Sequence, residues 1–382
     1  MNSRLRLTCG AAAVALAAAA TLGAGPAQAQ GKHFSFTKHP TKRTLTKPDA
    51  GRSGMLTTSS TTTPVYRIAG TDRIDTAIQA SQAAWDDAGT TPGNVAGAVI
   101  LTRYDEYADA LGGSALAGAA AGPLLMTPPT SLDVGVKAEI DRVLGGTGTI
   151  YVLGGTGAIS ADVEAALTAA GYTVVRLAGA DRYDTSVTIA ERISYFLPPD
   201  GKPQFVFATT GLNFPDGLAA GATAGAYGAT VVLTRDNVLT QSVDGYLAKW
   251  HNSGVPEFAV GGAAASVPRT WDDMIVGADR FETAALVAEG FWTDPSTPND
   301  DPAAVGLATG MDWPDALSGG AYMAGLGPLV LSRTDSLPTT TADATKAMVA
   351  SATPSPVQEG DVFGGESVVG ATPFNDFSTL LG

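Results

Sequence analysis

Internal repetition constrains this chain more than any other feature of its sequence. Arg67-Ile-Ala-Gly-Thr-Asp-Arg-Ile-Asp-Thr76 is matched by Arg176-Leu-Ala-Gly-Ala-Asp-Arg-Tyr-Asp-Thr185 and by Ile275-Val-Gly-Ala-Asp-Arg-Phe-Glu-Thr283, the last read as one residue shorter before its glycine. Each is followed by an aromatic-led element: Tyr107-Ala-Asp-Ala-Leu-Gly-Gly113, Phe214-Pro-Asp-Gly-Leu-Ala-Ala220 and Trp313-Pro-Asp-Ala-Leu-Ser-Gly319. Next comes an apolar run, Gly122 to Thr127, Ala229 to Thr234 and Gly327 to Ser332, and then paired glycines at Gly154-Gly155, Gly261-Gly262 and Gly364-Gly365. Asp72 and Asp181 are 109 residues apart, and Asp181 and Asp279 are 98 apart. Four elements do not recur three times in one order by chance. The chain is therefore expected to hold three homologous units, over residues 65–171, 172–270 and 271–382.

Within each unit, short apolar runs such as Val99 to Thr102, Phe205 to Ala208 and Val305 to Ala308 alternate with longer helix-like stretches such as Ser160 to Ala170. Buried runs of that length between helices predict central strands of a mainly parallel sheet, so each unit is expected to be a small three-layer α/β domain.

The motifs also carry polar chemistry. Asp72, Asp181 and Asp279 follow a strand and a glycine turn, and Asp75, Asp184 and Glu282 come three residues later. This is the pattern of a helix start, with an N-cap acid and a second acid at the third helical position. Arg73, Arg182 and Arg280 then fall at the first helical position, where the helix dipole mildly opposes a cation. Two roles are open to them: pairing with a carboxylate of the next unit, or offering a planar fork to an anionic ligand. Tyr107, Phe214 and Trp313 fit either a hydrophobic staple or a sugar-stacking rim, and Asp109, Asp216 and Asp315 are expected to cap the following helix. The glycine pairs suit a tight strand-to-helix turn better than an anion cradle, because none is a complete phosphate-loop pattern.

Arg4 and Arg6, an Ala-rich apolar run to about Leu22 and Ala27-Gln28-Ala29 have the order of a secretory signal over residues 1–29. Residues 30–64 hold six basic side chains against one acid and end in a Ser/Thr run, as expected of a flexible tail or linker. The rest carries 15 basic against 36 acidic side chains, a net −21, which argues against sequence-independent nucleic-acid binding. No later stretch has the apolar length of a membrane span, so no membrane contact is expected after export. The single cysteine, Cys9, lies in the expected signal, so disulfides, zinc-thiolate sites and cysteine nucleophiles are not expected beyond it. His251 is the only histidine after residue 64. No metal site, cofactor or catalytic residue is expected.

With its triple Gly-x-Asp-Arg-x-x-Thr, aromatic-Pro-Asp element, apolar strand and Gly-Gly close, the chain resembles the cell wall-binding repeat type 2 family of bacterial surface proteins. The resemblance covers nearly everything after Thr63. It implies three Rossmann-like or toprim-like modules packed about a pseudo-threefold axis, holding a secreted protein non-covalently at the wall through an anionic secondary wall polymer. Arg73, Arg182, Arg280, Tyr107, Asp109, Phe214, Asp216, Trp313 and Asp315 are the candidate ligand-binding residues. Family members often carry a separate effector such as an amidase or protease. No room for one is expected here, which makes a separate wall enzyme a possible partner. Two other readings stay open: a carboxylate- and metal-dependent hydrolase of phosphate or glycan esters, and an adhesion or matrix protein that binds a protein through loops such as 198–204 and 295–302.

Overall fold

The computed structural model describes residues 63–197, 200–293, 301–352 and 356–382. The expected signal segment and all but the last two residues of the basic tail lie outside these, as do parts of both loops named above. No helix among the described residues is long and apolar enough to cross a membrane.

Strands and helices alternate throughout. The first stretch runs β1 (Val65–Ile68), α1 (Arg73–Ala84), β2 (Ala98–Arg103), α2 (Gly113–Ala120), β3 (Leu124–Thr127), α3 (Val134–Leu144), β4 (Thr149–Leu153) and α4 (Ala161–Ala169). The second runs β5 (Thr173–Leu177), α5 (Arg182–Ser194), β6 (Val206–Thr210), α6 (Pro215–Tyr227), β7 (Thr230–Thr234), α7 (Gln241–His251), β8 (Glu257–Val260) and α8 (Gly262–Ala265). The third runs β9 (Asp273–Ile275), α9 (Arg280–Trp292), β10 (Ala304–Thr309), α10 (Pro314–Met323), β11 (Leu329–Ser332), α11 (Thr339–Ser351), β12 (Glu359–Phe363) and α12 (Ala371–Leu381). The strands β2, β6 and β10 are apolar and almost wholly buried, as the apolar runs require.

These strands form three parallel four-stranded sheets, ordered β3-β2-β4-β5, β7-β6-β8-β9 and β1-β12-β10-β11. The sheets are out of phase with the sequence repeats by one strand. The strand that opens each repeat completes the sheet of another: β5 pairs with β4, β9 with β8, and β1 with β12, from Val65 opposite Gly360 to Ile68 opposite Phe363. The first strand thus closes the last sheet, and the three modules are joined in a ring. Register also corrects the third opening motif, which is not shortened. Ile275 pairs with Val260 as Ile68 does with Phe363 and Leu177 with Leu153. Met274 therefore fills the place of Arg67 and Arg176, whose guanidinium groups donate to the carbonyls of Gly364 and Gly154 at 2.7 and 2.8 Å. An exposed methionine at the equivalent place hid the match in the sequence.

The helices α2, α6 and α10 pack on one another along the pseudo-threefold axis. Aligning Asp109, Asp216 and Asp315 places Leu111, Leu218 and Leu317 in one buried layer. Each contributes roughly 1.5–3 kcal/mol by burial. The next layer holds Ser114, Gly221 and Gly320, and the one beyond it Gly118, Gly225 and Ala324. Only one side chain fits in the Ser114 layer. A methyl group on Gly221 would lie 3.1 Å from the Ser114 Cβ, and one on Gly320 would lie 3.0 Å from its Oγ. That hydroxyl donates to the Leu317 carbonyl at 3.0 Å, tying the first axial helix to the third.

The Asp-Arg motif forms the expected helix start. Asp72, Asp181 and Asp279 are N-caps, each accepting from two backbone N–H groups at 2.9–3.0 Å. Thr76, Thr185 and Thr283 each accept from the turn glycine, Gly70, Gly179 or Gly277, at 3.1 Å. The aromatic-led element starts differently from expectation. Phe214 and Trp313 occupy the N-cap position without a side-chain cap, Pro215 and Pro314 are the first helical residues, and Asp216 and Asp315 follow inside the helix. Proline's fixed φ and missing N–H suit that first position. Ala108 replaces the proline in the first repeat, and there the helix begins only at Gly113, beyond a run of turns.

Candidate functional site

Each motif arginine reaches from its own helix start across a seam to an aromatic ring of another repeat. Arg182 lies over Tyr107 with its guanidinium carbon 5.9 Å from the ring centre, Arg280 over Phe214 at 5.6 Å and Arg73 over Trp313 at 5.6 Å. Such cation–π contacts contribute about 0.5–1 kcal/mol when exposed and more when dry. The same guanidinium groups are fixed from behind by the loop that follows a strand of their own repeat. Arg182 Nη1 donates to the Gly211 carbonyl and Arg280 Nη1 to the Gly310 carbonyl, both at 2.7 Å, and Arg73 Nη1 to the Tyr104 carbonyl at 3.1 Å. The three rings converge at one end of the axial helices. Tyr107 lies 5.6 Å from Phe214 and 6.3 Å from Trp313, and its hydroxyl donates to the Leu212 carbonyl at 3.0 Å.

The sequence candidates thus gather into one threefold constellation, with unequal roles for their side chains. Trp313 is buried, whereas Tyr107 and Phe214 are partly exposed. Asp109, Asp216 and Asp315 sit under the glycine pairs of their own repeats. A methyl group on Gly154, Gly261 or Gly364 would collide with the respective carboxylate, and all three glycines have positive φ. The N–H groups of these glycines are used in the sheets, donating to the carbonyls of Leu177, Ile275 and Ile68. This geometry is that of a tight turn, with close backbone approach to an aspartate.

Burial pushes the Asp216 carboxyl up to about 6, opposed by the nearby charge of Arg280. Burial also raises that of Asp315, opposed by the Thr76 hydroxyl and by Arg73, with Asp312 adding to the rise. Among the described residues no group of three His, Cys, Asp or Glu side chains could hold a metal ion. His251 lies 3.8 Å from Glu257, a buried acid that Arg269 grips through both oxygens.

Sequence reasoning overlooked Arg235 and Arg333, the residues that follow the apolar run in the second and third repeats. They pair with the N-cap acids Asp181 at 3.2 Å and Asp279 at 3.8 Å, and lie over Tyr183 and Phe281. The signal was present as an arginine at the same place after the third motif, while Pro128 occupies it in the first repeat.

Three parallel α/β modules with a shared arginine-aromatic constellation define a closed tandem-repeat protein. The chain belongs to the cell wall binding domain 2 (CWB2) family, which it matches over residues 67–164, 176–269 and 274–372. Cell-wall binding at the surface is the function that membership carries. Among curated relatives, the N-acetylmuramoyl-L-alanine amidase LytC of Bacillus subtilis is 24% identical over 266 residues, covering 68% of this chain and 48% of that protein. The amidase enhancer of the same organism is 32% identical over 173 residues, 45% of this chain and 22% of that one. Among solved structures, Cwp6 from Clostridium difficile superposes with a TM-score of 0.70 at 19% identity, covering 88% of this chain and 51% of its own. Cwp8 from the same organism gives 0.67 at 22% identity, covering 82% and 51%. The chain spans about half or less of the length of each of these relatives.

Proposed function

We propose that this is a secreted protein held non-covalently at the bacterial wall by an anionic secondary wall polymer, which the three repeats grip together. The observation that carries this reading is the arginine set. Arg73, Arg182 and Arg280 are half-buried, braced by a carbonyl and a ring, and repeated at three seams. A braced guanidinium loses little entropy on binding and still has donors for an oxyanion. The net charge of −21 over residues 65–382 repels a polyanion at long range, so attraction has to be local and multivalent. Three linked sites raise avidity by about two to four orders of magnitude over one. Two relatives bear the names of an amidase and an amidase enhancer, which supports a place beside a separate wall enzyme rather than catalysis by these repeats.

The test is co-sedimentation with purified walls, before and after acid extraction of their secondary polymers, beside a folded Arg73→Ala/Arg182→Ala/Arg280→Ala variant. Binding is expected to vanish on extraction and in the variant. Undiminished binding to stripped walls would overturn the anionic-polymer reading.

A further inference from the structure

The three arginine sites share a backbone but differ in the charges around them. The difference is carried by the residue just before each aromatic ring: Glu106, Asn213 and Asp312. Asp312 Oδ1 accepts from the Trp313 N–H at 2.9 Å, and its second oxygen, Oδ2, lies 3.4 Å from Arg73 Nη2. Arg73 is therefore already matched to a carboxylate. Asp105, whose carboxylate Arg103 holds at 2.6 and 2.9 Å, also lies within electrostatic reach of Arg73. An incoming anion at this seam has to displace or share an existing ion pair.

Asn213 makes the same loop-closing bond, its Oδ1 accepting from the Phe214 N–H at 2.9 Å. Its other terminal atom is an amide nitrogen, a donor that cannot neutralise Arg280. Among the described residues the Arg280 side chain makes a single hydrogen bond, to the Gly310 carbonyl, and no ion pair. The Asp216 carboxylate beneath Gly261 acts on it electrostatically without forming an ion pair. A second cation is brought to this helix start, since Arg333 pairs at 3.8 Å with Asp279, the residue before Arg280. Pro128 leaves the Arg73 seam without that second arginine. The Arg182 seam is intermediate. It has Arg235 through Asp181, but the residue before its ring is the acid Glu106, which accepts from the Tyr107 N–H at 3.1 Å, where the third site has Asn213.

We infer that the three sites are unequal and that the seam at Arg280, with Asn213 and Phe214 facing it, is the principal oxyanion site, while the seam at Arg73 is closed by its own carboxylate. This rests on the anionic-polymer reading above. The ligand group is a phosphate or carboxylate oxyanion able to accept from the open side of the guanidinium fork.

The experiment exchanges the two loop residues in the full chain: Asn213→Asp, Asp312→Asn, and both together, beside Arg280→Ala and Arg73→Ala. Both loop residues keep the Oδ1 that closes the loop, so the exchanges leave the fold intact, and thermal melting verifies this. Binding is measured on intact and acid-extracted walls. Asn213→Asp is expected to weaken extractable binding by about 5-fold or more, Asp312→Asn to strengthen it, and Arg280→Ala to cost about 10-fold, more than Arg73→Ala does. Equal losses for the two arginine variants, or no response to Asn213→Asp while the parent binds only unextracted walls, would overturn the inequality and leave the general reading standing. Binding by the parent that survives extraction would remove both.

Discussion

Where α9 packs on α6, the helix presents Val287, Phe291 and Trp292, all buried, with Phe291 inside a cluster with Phe205, Phe207, Phe258 and Tyr227. Where α1 packs on α10, the equivalent positions are Ala80, Ala84 and Trp85, and a small void remains between Ala77, Ala80, Ala84, Ser318 and Tyr322. The backbones of the two seams follow the same pseudo-symmetry, and their interiors do not. The joint that closes the ring thus has alanine at two of the three places where the joint between the second and third repeats has valine and phenylalanine. The repeated motifs specify where chains turn and cap, while each seam fills its space independently.

The contrast can be broken from its strong side first. Phe291→Ala should cost about 3–5 kcal/mol in urea unfolding, because several rings lose their central partner at once; a cost below about 1 kcal/mol would show the aromatic seam to be loosely packed. The Asp216 carboxylate, at the opposite end of α6 from this cluster, gives the next effect. Asp216 titrates above its ordinary value in the folded chain, so the folded state holds this proton more tightly than the unfolded one. Its stability contribution is present at low pH and is lost as pH rises from about 4 through about 6. Asp216→Asn should therefore be more stable than the parent above pH 6, by on the order of 2 kcal/mol, and show no gain at pH 4. An equal gain at both pH values would mean that the charge is not the cause.

Smaller effects sharpen the contrast from its weak side. Ala80→Val introduces the residue that the third repeat has at this position and should raise stability by about 1 kcal/mol by filling the void; destabilisation would show that the seam cannot take the volume. Ser81 is buried, its hydroxyl has no hydrogen-bond partner among the described residues, and Ala190 and Ala288 are its equivalents. Ser81→Ala should gain about 1 kcal/mol or less, read as a small shift of the urea midpoint.

The parts of the fold that were legible in the sequence are those set by local chemistry. Asp72, Asp181 and Asp279 cap helices because an acid after a glycine turn has few other uses, and buried strands such as Val206 to Thr210 are recognisable by their apolar runs. What was not legible depends on contacts between distant segments. Nothing in Val65 to Ile68 indicates that its partner is Gly360 to Phe363, since a strand's neighbour is chosen by topology. The start of the aromatic-led helix was misplaced because Asp216 and Asp315 looked like caps, whereas the proline before each fixes the first helical residue. At the site, the residues to watch could be named from repetition alone. That Arg280 reaches Phe214 of another repeat, or that Asp312 answers Arg73, required the seams.

Closure by β1 also limits how such a protein can change its repeat number. In an open stack a unit can be gained or lost at an end, and the remaining units keep their neighbours. Here every sheet borrows its edge strand from another repeat, and the last borrows from the first. Deleting one repeat would leave a sheet without its fourth strand and an axial helix without its third companion, and a fourth repeat would find no vacancy on the axis. Three is therefore a closed number for this architecture, and lineages that carry it are expected to duplicate or discard the ring as a whole.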